Sequence, residues 1–391
     1  MAFTEITTQS WGSRLMKSIK SVLVGLVLFV VSFPLLFWNE GRAVKTAKML
    51  AMGASAVVSV VSDKVDPSKE GKLVHTSGTA TTDETLSDDE FKVSAKAIKL
   101  TRDVEMYQWK ENKKEREEKQ TGGSTKTITT YEYEKTWSSR ALDSSDYREN
   151  GHDNPGMPFQ GKSWVAKNVT LGAFKLTEAQ VAKLDKTAGY DVDAKAVEGM
   201  DLKSVAKTGT LYLAPDRKPN PESPQIGDVK VSFTTVPPGP YSLVAQQAGD
   251  SFVPFVDKDI GEDYGVLLVQ DGTVTAAAMF QKAEADNAMM TWVLRVVGFA
   301  FMFIGLLMVF KPISAFGDVI PMVGSMLGAG LGLFAFFISA ALSLLTVGVA
   351  WLFYRPVLGV ALLVLAIGAM VGLVMLAGKK KAAKAAAAPA P

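Results

Sequence analysis

Residues 319–354 read VIPMVGSMLGAGLGLFAFFISAALSLLTVGVAWLFY, thirty-six positions without Asp, Glu, Lys, Arg or His. Two further apolar runs flank this one. Trp292 to Phe310 is interrupted only by Arg295, and Pro356 to Gly378 is closed by Lys379, Lys380 and Lys381. A bilayer core about 30 Å thick is crossed by about 20 apolar helical residues. No soluble core needs uncharged helices of this length, so the runs predict membrane spans at 292–310, 330–353 and 356–378. As one helix, 319–354 would measure about 54 Å at 1.5 Å per residue. That exceeds the hydrocarbon, so residues 311–329 are expected to form an interfacial or re-entrant connector, with a single tilted helix the less favoured arrangement.

Working outward, Arg14, Lys17 and Lys20 precede Ser21 to Trp38, eighteen uncharged residues. The run is long for a signal peptide and no small-residue cleavage site follows it at once. It predicts an uncleaved first span, 21–38, with Trp38 as an interfacial anchor. Four spans leave residues 1–20 and 379–391 on one side. The basic residues at both ends assign that side to the cytoplasm. The intervening 39–291 is then expected across the membrane, in periplasm or lumen. Arg42, Trp292, Arg295 and Arg355, with the three terminal lysines, are expected at membrane interfaces. Arg295 is expected to snorkel toward headgroups.

The near-neutral total of +2 hides two unlike parts. Asn39 to Thr291 carries 32 Lys/Arg against 38 Asp/Glu, net −6, while the rest carries 10 against 2, net +8. An acidic head gives no support for nucleic-acid binding. The chain has no cysteine, which excludes disulfides, zinc–thiolate sites and thiol nucleophiles.

Within the head, Ala97 to Trp109 and Thr127 to Trp137 alternate apolar and polar residues around the turn signal Gln120 to Ser124. They predict a long antiparallel hairpin whose charged arm, Lys110 to Lys119, is solvated. Further strands are expected at 72–76, 164–174, 210–213, 228–235, 242–247 and 265–269. Thr177 and Gln180 have capping-box spacing and open a short helix to about Lys186. Ala43 to Val61 extends the first helix or lies on the membrane surface. Ala276 to Met290 is expected to be a helix running into the second span. The predicted class is therefore an α+β membrane protein: four transmembrane helices, one N-terminal and three C-terminal, with a strand-rich extramembrane domain between the first and second.

Gly324, Gly328 and Gly332, and Gly368 with Gly372, place small residues on one helix face, as close helix packing within or between protomers requires. His75 reads as structural. His152 with Asp153 is too few ligands for a metal. Tyr107, Trp109, Tyr131, Tyr133 and Trp137 read as a cross-strand aromatic cluster, or as a contact surface. No phosphate loop or nucleophile elbow is present. No catalytic residue, cofactor or metal site is expected.

The segments Asn39-Glu40-Gly41-Arg42-Ala43-Val44-Lys45-Thr46-Ala47, Glu70-Gly71-Lys72-Leu73-Val74-His75 and Val104-Glu105-Met106-Tyr107-Gln108-Trp109 resemble the LUMA, or transmembrane protein 43, family. The likeness continues at Gly151-His152-Asp153-Asn154-Pro155, at 227–233, at 344–347 and at Trp351-Leu352-Phe353-Tyr354-Arg355-Pro356, in order over nearly the whole chain. The resemblance implies four spans, a large lumenal domain and an oligomeric membrane-organising role, seen in eukaryotes at the endoplasmic reticulum and inner nuclear membrane. The basic Ala/Pro-rich tail and short N-terminus point to a bacterial member in the inner membrane, for which lamin-type partners do not carry over. The expected function is a multipass, non-enzymatic scaffold that self-associates and organises membrane lipid or partner proteins. The runner-up is a lipid-handling, transporter or channel-like protein. The expected partners are lipid, further copies of the chain and other membrane proteins.

Overall fold

The computed structural model describes residues 3–120, 124–192, 202–317, 321–361 and 364. Three described helices are long and apolar enough to cross a membrane: Trp11–Ala56, Ala276–Ser314 and Gly328–Tyr354. The expected fourth span, 356–378, lies for the most part outside the described residues, as do the tail 379–391, Gly368 and Gly372.

The first helix, α1 (Trp11–Ala56), is far longer than the eighteen-residue span expected, because no breaker interrupts it from Ser21 to Ala56 except Pro34. Pro34 removes one backbone bond, a defect membrane helices tolerate where neighbours re-satisfy the freed carbonyl. A short α2 (Glu178–Val181) follows in the head. The Thr177 N–H donates to Gln180 Oε1 at 2.9 Å, the half of the capping box that Gln180 supplies. Gln180 Nε2 then donates to the Phe252 carbonyl, and the helix ends at Val181 rather than near Lys186.

α3 (Ala276–Gly317) starts where the Ala278 N–H reaches the Thr275 hydroxyl, and it runs through Pro312. α4 (Pro321–Tyr354) is one helix of 34 residues. Of the connector expected at 311–329, residues 311–317 belong to the end of α3 and 321–329 to the first turns of α4, while 318–320 lie outside the described residues. A helix of about 51 Å fits a bilayer by tilting or by projecting beyond it, at modest cost.

The head is strand-rich. Its larger sheet has eight described strands in the order Phe3–Gln9, Thr125–Ser138, Lys99–Lys119, Val229–Val236, Thr210–Ala214, Lys203–Lys207, with Ala188–Tyr190 and Lys162–Val165 paired off this path. The second sheet has seven, centred on Leu73–Thr81 and Gly239–Ala248, which pair antiparallel with Leu243 opposite Thr76. One core takes Leu100, Val104, Met106, Leu211, Val231 and Phe233 from the first sheet and Val74, Leu171, Phe174, Tyr241 and Leu243 from the second. These residues alternate along their strands, which is why periodicity located them. Lys203–Lys207 and Thr210–Ala214 are joined through Thr208 (φ 50°) and Gly209 (φ 73°), the left-handed pair a two-residue hairpin demands.

The predicted hairpin is present, and the Gln120 N–H closes onto the Ser124 carbonyl at 2.8 Å. Its arms are tied by Lys114–Glu132, Asn112–Glu134 and the Tyr133 hydroxyl donating to Glu111. The expected strand at 164–174 is instead three short pieces, Lys162–Val165, Thr170–Leu171 and Phe174–Lys175.

One strand was not expected. Phe3–Gln9 runs antiparallel to Thr125–Tyr131, with Ile6 opposite Ile128. Residues 3–9, which were expected to belong to the N-terminal tail, thus pair with an edge of the larger sheet.

Candidate functional site

The bundle formed by α1, α3 and α4 contains a buried ionic cluster. Glu40 on α1 is 0% exposed. Its carboxylate accepts from Arg295 on α3 through Nε at 2.6 Å and Nη2 at 2.9 Å, and from Trp351 Nε1 on α4 at 2.7 Å. The Arg295 guanidinium lies 4.8 Å from the Trp292 ring centroid and 5.8 Å from that of Trp351. One carboxylate therefore links all three helices. A buried carboxylate is tolerable only when paired and hydrogen-bonded, and here both oxygens are engaged.

A polar girdle continues the cluster along α1 and α3. Arg42 donates from Nη1 to Asn287 Oδ1 at 3.0 Å and from Nη2 to Thr291 Oγ1 at 2.9 Å. Asn39 Nδ2 donates to the Thr291 carbonyl, and Asn287 Nδ2 to the Ala43 carbonyl. Gly41 faces Tyr354, whose Cζ would lie 2.6 Å from any Cβ added there. The segment Asn39-Glu40-Gly41-Arg42 is thus a helix–helix lock, where the sequence alone had placed the end of a span.

Beside this lock runs a cleft of about 400 Å³, walled by Leu36, Val296, Phe299, Ala340, Leu344 and Val347, with Trp292, Arg295, Ser343 and Trp351 completing its lining. Ser343 donates to the Met302 sulfur at 3.5 Å.

The residues expected at interfaces fall in different places. Trp38 and Trp292 are 51% and 64% exposed. Arg355 follows the last residue of α4, and its N–H bonds the Trp351 carbonyl. Arg295 does not snorkel: Glu40, outside the expected first span, holds it inside. The glycines also divide. A Cβ at Gly328 or Gly332 would meet nothing within 4 Å, whereas one at Gly25 would lie 2.6 Å from Met308 Cβ and 2.7 Å from the Gly305 carbonyl oxygen. Gly324 lies within α4, and its side-chain environment is outside the description. Close approaches between α1 and α3 are instead made by Gly25 on Gly305, and by Gly298, where an added Cβ would lie 2.5 Å from Leu36 Cδ2.

In the head, His75 Nε2 donates to the Val274 carbonyl at 2.8 Å, a tether between a strand and the start of α3. His152 stacks on Tyr133 at 3.9 Å and meets Trp109 edge-on at 4.5 Å. The aromatic residues of the hairpin separate into three groups: Tyr131 with Phe3, Tyr133 and Trp109 with His152, and Tyr107 with Trp137. Among the described residues no group of three or more His, Asp or Glu converges as a metal site. A cavity of about 480 Å³ opens between Pro155, Phe159, Leu213, Arg217 and Val229. There Arg217 is held by Asp228 at 2.6 Å and by Gln225 at 2.9 Å.

Residues 106–356 match the family model described as Transmembrane protein 43. The chain is 36% identical over 356 residues to Transmembrane protein 43 of Rattus norvegicus and of Homo sapiens, covering 88% of this chain and 86% of each relative. It is 29% identical to the Transmembrane protein 43 homolog of Drosophila melanogaster over 87% of this chain and 90% of that protein. No solved structure matches the chain. A buried lock joining three apolar helices, a strand-rich head inserted after the first of them, and a match over most of the sequence lead to one conclusion: the chain belongs to the transmembrane protein 43 family.

Proposed function

We propose that the chain is a multipass membrane scaffold that self-associates through its helices and presents its head to lipid or to partner membrane proteins. The observation that carries this reading is a face of α4 where, among the described residues, Gly328 and Gly332 have no neighbour within 4 Å of an added Cβ. Phe334 and Phe337 lie exposed just beyond them. Small residues on an uncovered membrane helix permit the close backbone approach through which such helices associate. The ionic lock supports a structural role, since every hydrogen bond Glu40 accepts is spent on holding α1, α3 and α4 together. The relatives are named as transmembrane proteins and carry no enzyme name.

Single-cysteine variants at Gly328 and Gly332 test this. The protein has no cysteine of its own, so dimers cross-linked in native membranes report the α4 face directly. A chain that stays monomeric in native-lipid discs by mass photometry, with no cross-linked species, removes the reading. A second reading, lipid handling, is favoured by the cleft beside Arg295 and Trp351.

A further inference from the structure

The cleft between α1, α3 and α4 has an apolar length and a charged end. Leu36, Phe299, Ala340, Leu344 and Val347 wall it, and Arg295 stands at one end between Trp292 and Trp351. Arg295 uses Nε and Nη2 on Glu40, and its Nη1 has no acceptor among the described residues. Its side chain retains 19% exposure, so that donor is reachable.

The volume restricts the occupant. A helix with its side chains is about 10–12 Å across and does not enter a cleft of about 400 Å³. An extended peptide would bring backbone groups that an apolar wall leaves unsatisfied. A hydrocarbon chain meets neither objection, and these helices are read as lying where hydrocarbon is the solvent.

We propose that this cleft seats one acyl chain of a glycerophospholipid, whose phosphate accepts a hydrogen bond from Arg295 Nη1. The inference rests on the lipid-handling reading and names its ligand. Arg295 acts twice in this arrangement: two of its nitrogens lock the bundle, and the third reads the headgroup. Trp292 and Trp351 hold the guanidinium plane at the mouth, as aromatic rings do for a cation.

The test uses the full chain in neutral detergent, observed by native mass spectrometry while dioleoylphosphatidylglycerol or dioleoylglycerol, which has no phosphate, is titrated. One phosphatidylglycerol per protomer is expected, held about tenfold more tightly than dioleoylglycerol, the ratio one charge-assisted hydrogen bond supplies. Ala340→Trp fills the cleft and is expected to abolish retention, while Leu345→Trp, exposed on α4 and outside the lining, keeps it. Equal retention of both lipids by the unaltered protein overturns the proposal, as does undiminished retention by a folded Ala340→Trp. Retention without transfer of fluorescent phosphatidylglycerol between vesicles supports the seat while removing the lipid-carrying reading.

Discussion

Glu40 and Arg295 stand 255 residues apart in the chain and meet through two parallel hydrogen bonds of 2.6 and 2.9 Å. Breaking a buried ion pair from one side leaves the other charge uncompensated, at a cost of about 3–5 kcal/mol. Glu40→Ala is therefore expected to lower the thermal midpoint of the detergent-solubilised protein sharply. Trp351→Phe removes only one donor to the carboxylate and is expected to cost about 1.5–3 kcal/mol. A Glu40→Ala midpoint equal to that of the unaltered protein would show the pair to be energetically idle.

The glycines supply a second test. Gly25→Ala and Gly305→Ala both put a methyl into the crossing of α1 and α3. Overpacking of this kind costs about 1–3 kcal/mol. Gly328→Ala and Gly332→Ala meet open space and are expected to leave the midpoint unchanged while weakening any association between copies. Melting curves and mass photometry on the four variants separate packing inside the chain from packing between chains.

The ladder between Phe3–Gln9 and Thr125–Tyr131 is open to a direct check. Thr4 lies opposite Thr130. In the cysteine-free background, Thr4→Cys with Thr130→Cys is expected to cross-link within one chain when intact membranes are oxidised. A bond that forms in detergent and not in membranes would show that the ladder is absent from the membrane-embedded protein.

Acid stability provides a fourth prediction, in the head. Glu84 accepts from the backbone N–H groups of Lys167 and Asn168, and these bonds hold its carboxyl below its ordinary value of 4.5. A depressed carboxylate contributes stability that is present above the unfolded value and lost as pH falls through the folded one. Glu84→Gln is expected to flatten the loss of head stability below about pH 4.5, followed by circular dichroism. An unchanged acid limb would remove Glu84 from that dependence.

What the sequence revealed followed the range of each signal. The hairpin was legible because alternation is local, and Thr177 with Gln180 because a cap needs only four residues. The lock at Glu40 was not legible. Asn39-Glu40-Gly41-Arg42 is polar enough to end a span, and the residue that keeps it inside, Arg295, lies across the whole head in sequence. Phe3–Gln9 was missed for a similar reason: it is a mostly polar edge strand whose partner lies about 120 residues away. Gly25 and Gly305 escaped because a crossing between two helices needs only one small residue on each. The continuity of α4 from Pro321 to Tyr354 was not legible from length alone, since an apolar helix is free to exceed the hydrocarbon it crosses.

The Glu40 carboxylate also sets the order in which the chain is made whole. Ribosomes add about 5–20 residues per second, so on the order of tens of seconds separate the emergence of Glu40 from that of its guanidinium. Through that interval the nascent first helix carries an acid with no counter-ion, and it is free to settle in oil only when α3 arrives. Until then burial of that carboxyl favours its protonated form, so the ionised three-helix lock is a late product of synthesis.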